Sequence, residues 1–339
     1  MKTVINNPLV QVYEGDALAT LRTLEADSVD CCVTSPPYWG LRDYGHAEQM
    51  GLEASPFEYI EKMAGVFDEV RRVLKPNGTC WIVIGDSYAG SWGAQSRRNG
   101  GPSAKQDRNK GTRFHASISA QQIAAHPKRT HTGSVKHFNG IKAKDLCGIP
   151  WRLAFALQDR GWYLRQDIIW AKPNPMPESV TDRCTRSHEY VFLLTKRARY
   201  FYDAKAISSP ALNAGLIYRN GNQSLSRGQA LGIGCKPSGN ATKDYWTIAN
   251  DRNERSVWSL TSEPYALAHF ATFPTKLVER CILAGSPADG HILDPFAGCG
   301  TTGEVAVKLG RRAVLIELNS EYVEMIRKNL GLFAVAASA

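Results

Sequence analysis

The sequence predicts an α/β protein with a doubly wound, mostly parallel sheet and irregular insertions. Short apolar segments alternate with helical ones towards both ends of the chain, which is typical of a parallel sheet with helices on its faces. The chain has 339 residues, of which 43% are hydrophobic and 22% charged, so it has enough apolar material for a large core. Residues 87–144 and 205–260 break the alternation and predict irregular, functional or disordered insertions.

The predicted elements follow one another in a regular order. QVYEGD ends a strand, DALATLRTL predicts a helix, and VDCCVTSPPY predicts an apolar strand that two prolines stop. A helix from about Pro56 to Leu74 ends at KPNG, and TCWIVIG is the next strand. Beyond the first break, IPWRLAFALQDRGW predicts a helix, and YLRQDIIWAK and EYVFLLTK predict two strands. Towards the C-terminus, the predictions are a helix over FPTKLVERCILAG, a strand, turn and helix over HILDPFAGCGTTGEVAVKLG, a strand over RRAVLIELN and a helix over SEYVEMIRKNL.

The positive charge of the chain is confined to one segment. The sequence carries 41 Lys and Arg against 32 Asp and Glu, a formal net charge of +9. Between Ser91 and Lys144, eleven basic residues stand against the single acid Asp107, so this segment accounts for the whole excess. Such a segment is typical of a phosphate-binding arm, and the alternative is a solvated loop with no defined role. The predicted phosphate-binding residues are Arg97, Arg98, Arg108, Lys110, Arg113, Lys128 and Arg129.

The composition disfavours several other classes of protein. The sequence contains no run of about 18 uncharged apolar residues, so it does not predict a membrane span. The N-terminal MKTVINNPLVQVYEGD lacks the apolar core of a secretion signal. The eight cysteines include no C-x-x-C pair and show neither disulfide nor metal-ligand spacing. We therefore expect a cytoplasmic enzyme with reduced cysteines and no metal site.

A glycine-rich turn follows the strand that ends at Asp294. In DPFAGCGTTG, Gly298, Gly300 and Gly303 match G-x-G-x-x-G, a pattern whose backbone approaches a ligand beside the positive end of a helix. Glu317 ends the next strand, where a carboxylate can accept hydrogen bonds from ribose hydroxyls. Only 22 residues follow Glu317, too few for the second half of a dinucleotide-binding fold. The missing strands must therefore come from the N-terminal part, which predicts a fold circularly permuted about this turn.

A second turn, Ser35-Pro36-Pro37-Tyr38, ends the strand VDCCV. Two prolines after a strand can be an ordinary turn. However, ligands of a parallel sheet bind beyond the carboxyl ends of its strands, and both this turn and the glycine-rich turn occupy such a position. We therefore expect the two turns to belong to one site.

Together the two motifs resemble those of the amino-methylating DNA methyltransferases. DPFAGCGTTG is similar to their S-adenosyl-L-methionine loop, and the order, with the catalytic motif first and the cofactor loop last, is that of their β group. The resemblance covers most of the chain except 87–144 and implies the sheet of the adenosyl-methionine-dependent methyltransferase type. It implies methionine contacts near Asp294 and Phe296, and a ribose contact at Glu317. The remaining implied cofactor residues are Gly298, Gly300, Thr301 and Thr302 of the loop, Phe273 and Thr275 before it, and Asp16 at the adenine. For Asp16, a helix N-cap is the alternative.

The Ser-Pro-Pro-Tyr turn suits methyl transfer to an exocyclic amino group of a base. Such a nitrogen is a poor nucleophile because its lone pair is delocalised into the ring. Hydrogen bonds from its two protons to Ser35 Oγ and the Pro36 carbonyl would make it more tetrahedral, and the two prolines stiffen the acceptor. Tyr38 offers an aromatic face for a base flipped out of the duplex. Direct transfer then depends on orientation and not on acid–base catalysis.

The resemblance leaves the target base open. Within the family, Ser at the first position usually accompanies cytosine N4, and Asp or Asn adenine N6, so Ser35 favours cytosine N4 with adenine N6 as the alternative. An RNA methyltransferase and a catalytically silent DNA-binding regulator are remoter alternatives. Trp39, Arg42 and Asp43 either line the base pocket, with Trp39 contacting DNA, or order the turn.

The same resemblance divides the chain and implies its partners. Residues 1–86 and 147–204 would form the catalytic half, 87–146 the basic insertion, 205–260 the target-recognition region and 261–339 the cofactor-binding half. The implied partners are double-stranded DNA, a second copy in a homodimer and a cognate restriction nuclease, with no membrane.

Overall fold

A nine-stranded sheet with helices on both faces is the frame of the molecule. The computed structural model describes residues 2–40, 49–89, 140–211, 217–219, 245–247, 251–262 and 273–336. The strands are β1 (Lys2–Asn6), β2 (Val10–Glu14), β3 (Val29–Thr34), β4 (Leu74–Ile84), β5 (Tyr163–Ala171), β6 (His188–Thr195), β7 (Ser209–Pro210), β8 (Ile217–Arg219), β9 (Tyr245–Thr247), β10 (Asp251–Arg252), β11 (Val257–Ser259), β12 (His291–Asp294) and β13 (Arg312–Glu317). The helices are α1 (Ala17–Leu21), α2 (Pro56–Val73), α3 (Ile149–Asp159), α4 (Thr275–Gly285), α5 (Thr301–Lys308) and α6 (Ser320–Ala336).

The strand order shows the expected circular permutation. The sheet runs β1-β2-β13-β12-β3-β4-β6-β5-β11, so the two C-terminal strands lie between strands of the N-terminal part. Strands β2, β13, β12, β3 and β4 are parallel, whereas β6 is antiparallel to both β4 and β5. The doubly wound, mostly parallel α/β fold predicted from the sequence is therefore confirmed.

Two hydrophobic clusters lie on opposite faces of the sheet. One contains Leu21 of α1, Phe67 of α2 and Leu153 of α3, and the other contains residues from α4, α5 and α6. Neighbouring residues of β3 alternate between them, with Cys32 in the first cluster and Cys31 in the second. This double burial explains why the central strands are continuous apolar runs.

Helix α1 is shorter than the sequence pattern predicts. The nitrogens of Thr23 and Leu24 bond to carbonyls three residues back, which closes the helix in a tight turn. The Arg72 guanidinium then donates to the carbonyls of Leu21 and Leu24 at 2.8 and 2.9 Å. The bond to Leu24 reaches a carbonyl just beyond the helix, and the bond to Leu21 adds a second donor to a carbonyl that already accepts from Leu24 N.

The predicted 205–260 region is only partly separate from the main sheet. Strand β7 pairs with β10 and β8 pairs with β9, both outside it, but β11 pairs in parallel with β5 at its edge. The boundary at 260 therefore lies beyond a strand that belongs to the main fold. Among the helices of the described ranges, none has the length and apolar character needed to cross a membrane.

Candidate active site

The carboxyl edge of the sheet gathers both turns that the sequence singles out. Parallel strands end at one edge, so β3 with Thr34, β12 with Asp294 and β13 with Glu317 deliver their following loops to the same place. Antiparallel β6 begins at this edge, where Tyr190 pairs with Ile84 of β4. The glycine-rich turn and the Ser-Pro-Pro-Tyr turn thus lie side by side.

One carboxylate joins the two turns. Asp294 Oδ1 accepts a hydrogen bond from Thr34 Oγ1 at 2.7 Å, and its Oδ2 accepts one from Thr302 Oγ1 at 2.6 Å. Thr34 immediately precedes the catalytic turn, and Thr302 lies in the first turn of α5. All three side chains are buried. We call these two hydrogen bonds the Thr34–Asp294–Thr302 joint, because they connect the end of β3 to the glycine-rich turn.

Asp294 is buried and hydrogen-bonded within the protein. Its exposed fraction is 0%, and both oxygens are engaged within the protein, with Phe296 N donating to Oδ1 at 3.1 Å. In this arrangement the Asp294 carboxylate connects the two turns, and the methionine contact near Asp294 and Phe296 stays a prediction. Burial raises its pKa to about 6, although the hydrogen bonds from Thr302, Thr34 and Phe296 oppose the rise.

The backbone of the glycine-rich turn is open towards a ligand. Gly298 and Gly300 have φ of +54° and +89°, in the left-handed region that favours glycine. A Cβ built at Gly298 would meet nothing within 4 Å, whereas one at Gly300 would lie 3.0 Å from Ile326. Gly300 also precedes Thr301, so the turn leads directly into the N-terminus of α5, which is suited to negatively polarised groups.

Glu317 fixes the turn to the neighbouring strand. Its Oε2 accepts from Gly298 N and its Oε1 from Asn319 N, each at 2.8 Å. Each carboxylate oxygen can accept a second bond, and the residue is half-buried, so Glu317 remains able to hold a hydroxyl pair. Burial raises its pKa to about 7, while the two backbone N–H groups oppose the rise.

Of the other predicted cofactor residues, Asp16 lies next to the strand end that carries Glu317, and Phe273 and Thr275 lie at the start of α4. Asp16 caps α1, accepting from Ala19 N at 2.8 Å, and the adjacent Gly15 N donates to the Glu317 carbonyl at 2.9 Å. The N-cap alternative for Asp16 is therefore present, next to the strand end that carries Glu317. Phe273 and Phe296 are half-buried. Thr275 begins α4, whose far end reaches the other edge of the sheet at Thr79.

The Ser-Pro-Pro-Tyr turn presents two acceptors. Ser35 is half-buried and Pro36 is buried. The Pro37 carbonyl accepts a hydrogen bond from Tyr59 Oη at 2.8 Å, which anchors the turn to α2. Within the described part of the chain, the Ser35 hydroxyl and the Pro36 carbonyl make no such bond.

Tyr38 is held by residues that the sequence analysis did not find. Its Oη donates to Glu189 Oε2 at 2.7 Å, and Lys172 Nζ bonds to the other Glu189 oxygen. A Cβ on Gly85 would lie 2.8 Å from Tyr38 Cε2, so the ring packs directly against the end of β4. A charged residue at the start of an otherwise apolar strand, as in HEYVFLLT, is the signal that could have identified Glu189.

Trp39 orders the turn. The side chain is 3% exposed, and its Nε1 donates to the Glu53 carbonyl at 3.1 Å. The Glu53 carboxylate also accepts from Gly51 N at 2.9 Å, and Gly40 N donates to the Gly51 carbonyl at 2.8 Å. Of its two predicted roles, the placement favours ordering the turn over contacting DNA, because a buried indole is not accessible to a partner. Arg42 and Asp43 lie outside the described residues.

Both ends of the basic insertion are fixed at this edge. Ala89 N donates to the Asp145 carbonyl at 2.8 Å, and Cys147 N donates to the Ser87 carbonyl at 2.8 Å. Asp86 accepts from the nitrogens of Gly148 and Ile149 and thereby caps α3. The seven predicted phosphate-binding residues from Arg97 to Arg129 lie outside the described residues.

Comparison with known proteins identifies relatives along nearly the whole chain. Residues 29–328 match the model of the DNA methylase family. The type II methyltransferase M.Cfr9I of Citrobacter freundii is 43% identical over 314 residues, covering 93% of this chain and 85% of that protein. The type II methyltransferase M.SmaI of Serratia marcescens is 41% identical over 320 residues, covering 94% and 90%.

Solved structures share the fold at lower identity. The PvuII DNA methyltransferase (cytosine-N4-specific) superposes with a TM-score of 0.57 at 18% identity, covering 94% of this chain and 86% of that chain. A protein of Thermus thermophilus in complex with S-adenosyl-L-methionine gives a TM-score of 0.52 at 21% identity, covering 94% and 91%. These likenesses show that the chain shares its fold with both proteins.

Proposed function

This chain belongs to the DNA methylase family, whose members transfer a methyl group from S-adenosyl-L-methionine to DNA, and we propose that it methylates the exocyclic N4 of cytosine. Its relatives at 41–43% identity are type II methyltransferases, so the reaction belongs to restriction–modification. The choice of cytosine rests on Ser35 at the head of the catalytic turn, since Ser at that place accompanies cytosine N4 in the family that the motifs resemble.

The glycine-rich turn and its neighbours suit the cofactor. The open space before Gly298 and the half-buried Glu317 carboxylate, with acceptor capacity left, fit a ribose that donates two hydroxyl protons. Backbone from Gly298 to Thr302 would follow the cofactor, with Phe296, Phe273 and Thr275 beside it and Asp16 near the adenine. When bound, S-adenosyl-L-methionine supplies an electrophilic methyl group.

The catalytic turn would prepare the base amino group. The Ser35 hydroxyl and the Pro36 carbonyl would accept hydrogen bonds from its two N–H groups, which directs the nitrogen lone pair out of the ring plane. Pro36 and Pro37 keep the acceptors fixed, so little reorganisation is needed during transfer. Tyr38 stacks on the base that has left the duplex.

A single observation carries the methyl-transfer part of this proposal, whereas the choice of base rests on Ser35. The Thr34–Asp294–Thr302 joint, with bonds of 2.7 and 2.6 Å, connects the catalytic turn to the glycine-rich turn. Direct methyl transfer requires donor and acceptor to be aligned and in contact. A rigid, buried connection between the two binding elements supplies that alignment.

Nucleoside analysis tests the base assignment. The purified chain is incubated with labelled S-adenosyl-L-methionine and genomic DNA from an unmethylated host, and the digested DNA is examined by mass spectrometry. We expect N4-methylcytosine, and none with a Ser35→Ala, Tyr38→Ala double variant. N6-methyladenine alone would overturn the base assignment, and label on RNA alone would overturn the substrate class.

The basic insertion would hold the DNA backbone. Because its ends are joined by the bonds between Ala89 and Asp145, a short Gly-Ser linker can replace residues 91–139. We expect the deletion to weaken DNA binding and to flatten the dependence of affinity on salt, since the lost cations no longer displace counterions. An unchanged salt slope would show that the segment is not a phosphate arm. The homodimer and the cognate nuclease stay predictions of the resemblance.

A further inference from the structure

The Tyr38 hydroxyl is hydrogen-bonded to a carboxylate that is distant in the sequence. Its Oη donates to Glu189 Oε2 at 2.7 Å across 151 residues of sequence. Glu189 lies near the start of β6, which enters the sheet at the edge that carries the catalytic turn. The Tyr38 ring, which we propose stacks on the target base, is therefore connected to the sheet through its hydroxyl group.

The Glu189 carboxylate is itself fixed and electrically balanced. Lys172 Nζ bonds to Oε1, so each carboxylate oxygen has a different partner. The side chains of Lys172 and Glu189 are only 17% and 16% exposed. Lys172 Nζ also lies 4.2 Å from the centroid of the Trp170 ring, a cation–π distance that holds the ammonium in place. The pair is more firmly placed than a solvent-exposed ion pair would be.

The Tyr38 ring is held at a second point by Gly85. A Cβ at this position would lie 2.8 and 3.2 Å from Tyr38 Cε2 and Cδ2, and 3.5 Å from Glu189 Cγ. The absence of a side chain at the end of β4 thus lets the ring and the carboxylate approach the backbone together. Contact along the ring and a hydrogen bond at its tip restrict both side-chain torsions of Tyr38.

We propose that Glu189 is a positioning residue that orients the Tyr38 ring for the target base, with Lys172 holding the carboxylate and cancelling its charge near DNA. This inference rests on the proposed function and extends it to the base pocket. A flipped base gains stacking only from a ring that already faces it. Without Glu189 the Tyr38 hydroxyl would lose this acceptor, and the ring would be held less firmly in the orientation that faces the base.

Steady-state and single-turnover kinetics test the proposal with three variants. Glu189→Ala removes the acceptor, Tyr38→Phe removes only the donor, and the double variant removes both. We expect each single variant to lower kcat about tenfold to 100-fold by misplacing the ring, with the KM for S-adenosyl-L-methionine unchanged. The double variant should be no slower than the slower single variant, because both break the same bond. Glu189→Gln, which keeps an acceptor oxygen, should recover most of the rate.

A spectroscopic readout separates ring orientation from a merely structural effect. Duplex DNA with 2-aminopurine in place of the target base fluoresces when that base leaves the stack. We expect Glu189→Ala and Tyr38→Phe to change this signal alike. The matched control is Glu178→Ala, which breaks the ion pair with Arg183 in the same β5–β6 connection but does not touch Tyr38. It should behave as the unaltered protein.

The outcomes distinguish this inference from the proposed function. If the unaltered chain methylates no DNA, the proposed function fails. If it methylates DNA and Glu189→Ala matches it in kcat and fluorescence, only the positioning role fails. Multiplying losses in the double variant would also overturn it. Should Glu189→Ala not fold, Tyr38→Phe decides alone, since normal kcat without the hydroxyl contradicts the proposal.

Discussion

The proposed cofactor loop and the proposed base pocket share one edge of the sheet but are built differently. The loop is contiguous, since Asp294, Gly298 and Glu317 lie within one strand–turn–helix–strand unit, in which Gly298 N donates directly to Glu317. The base pocket takes Tyr38, Gly85 and Glu189 from three separate elements. A contiguous site can be recognised from a short motif, whereas an assembled site depends on the order of strands.

We expect the largest effect when the side chains of Ser35 and Tyr38, which we propose contact the target base, are truncated. The Ser35→Ala, Tyr38→Ala double variant should lower the single-turnover rate by about 1,000-fold or more, because a lost polarising hydrogen bond costs roughly 100-fold to 1,000-fold and lost stacking adds to it. The cofactor Kd, measured by calorimetry, should stay within about twofold because the loop is untouched. Tyr163→Ala, at the half-exposed start of β5, is the control. Retained transfer would refute the assignment of the turn.

The next largest effect should come from cutting the joint between the two regions. Asp294→Ala leaves the buried Thr34 hydroxyl without this acceptor, at a cost of about 1–3 kcal/mol, and leaves Thr302 with the more distant Val33 carbonyl at 3.4 Å. We expect a lower free energy of unfolding in urea, together with loss of both cofactor affinity and transfer, the latter by about 100-fold. Asp294→Asn, which keeps one acceptor, should be milder.

A matched variant shows whether this loss reflects coupling. Asp159→Ala removes an exposed acid at the end of α3, remote from the carboxyl edge. It should leave stability, cofactor affinity and transfer unchanged. If Asp294→Ala destabilised the fold but left both functions intact, the joint would be structural only.

The difference between a contiguous loop and a pocket assembled from separate elements also explains which features the sequence predicts. The doubly wound fold, its permutation and the glycine-rich turn follow from local patterns, such as apolar strands and glycines at fixed spacing. The Thr34–Asp294 bond spans 260 residues and the Tyr38–Glu189 bond spans 151. No local pattern reports such pairs, because they form only once β3 lies between β12 and β4.

The burial of individual residues is likewise hard to predict from the sequence. Asp294 is part of a cofactor motif, yet it is buried, because its neighbours Thr34 and Thr302 come from both sides of the turn. The buried Trp39 likewise depends on Glu53, whose loop folds back over the catalytic turn. Burial of this kind is a property of packing, and residue type alone does not determine it.

A smaller effect is expected from narrowing the base pocket. Gly85→Ala places a methyl group 2.8 Å from Tyr38 Cε2, so the ring must shift. We expect kcat to fall about tenfold to 50-fold through misplacement, with cofactor affinity unchanged. Gly65→Ala is the matched control, since its Cβ would meet nothing within 4 Å in α2. That variant should be active and about 1 kcal/mol more stable from helix propensity. Unaltered kcat in Gly85→Ala would show that the ring tolerates displacement.

The smallest effect is a pH dependence confined to the cofactor side. Burial raises the pKa of Glu317 to about 7, so at about pH 6 only about a tenth of the molecules carry the ionised carboxylate. Ribose hydroxyls donate to the ionised form, so cofactor affinity should fall up to about tenfold between about pH 8 and about pH 6. Calorimetry in two buffers of different ionisation enthalpy would detect the proton that binding releases near neutral pH.

The Glu317→Gln variant decides whether this carboxylate is the cause. Gln does not titrate, so subtracting its profile removes the ionisation of the ligand and of Asp294, whose pKa is raised to about 6. Without cofactor, the raised pKa of Glu317 means that the folded chain binds a proton more tightly than the unfolded chain. Its contribution to stability is therefore lost as pH rises from about 4.5 to about 7. Glu317→Gln should flatten that slope as well, and the same slope in the variant would assign the titration to another group.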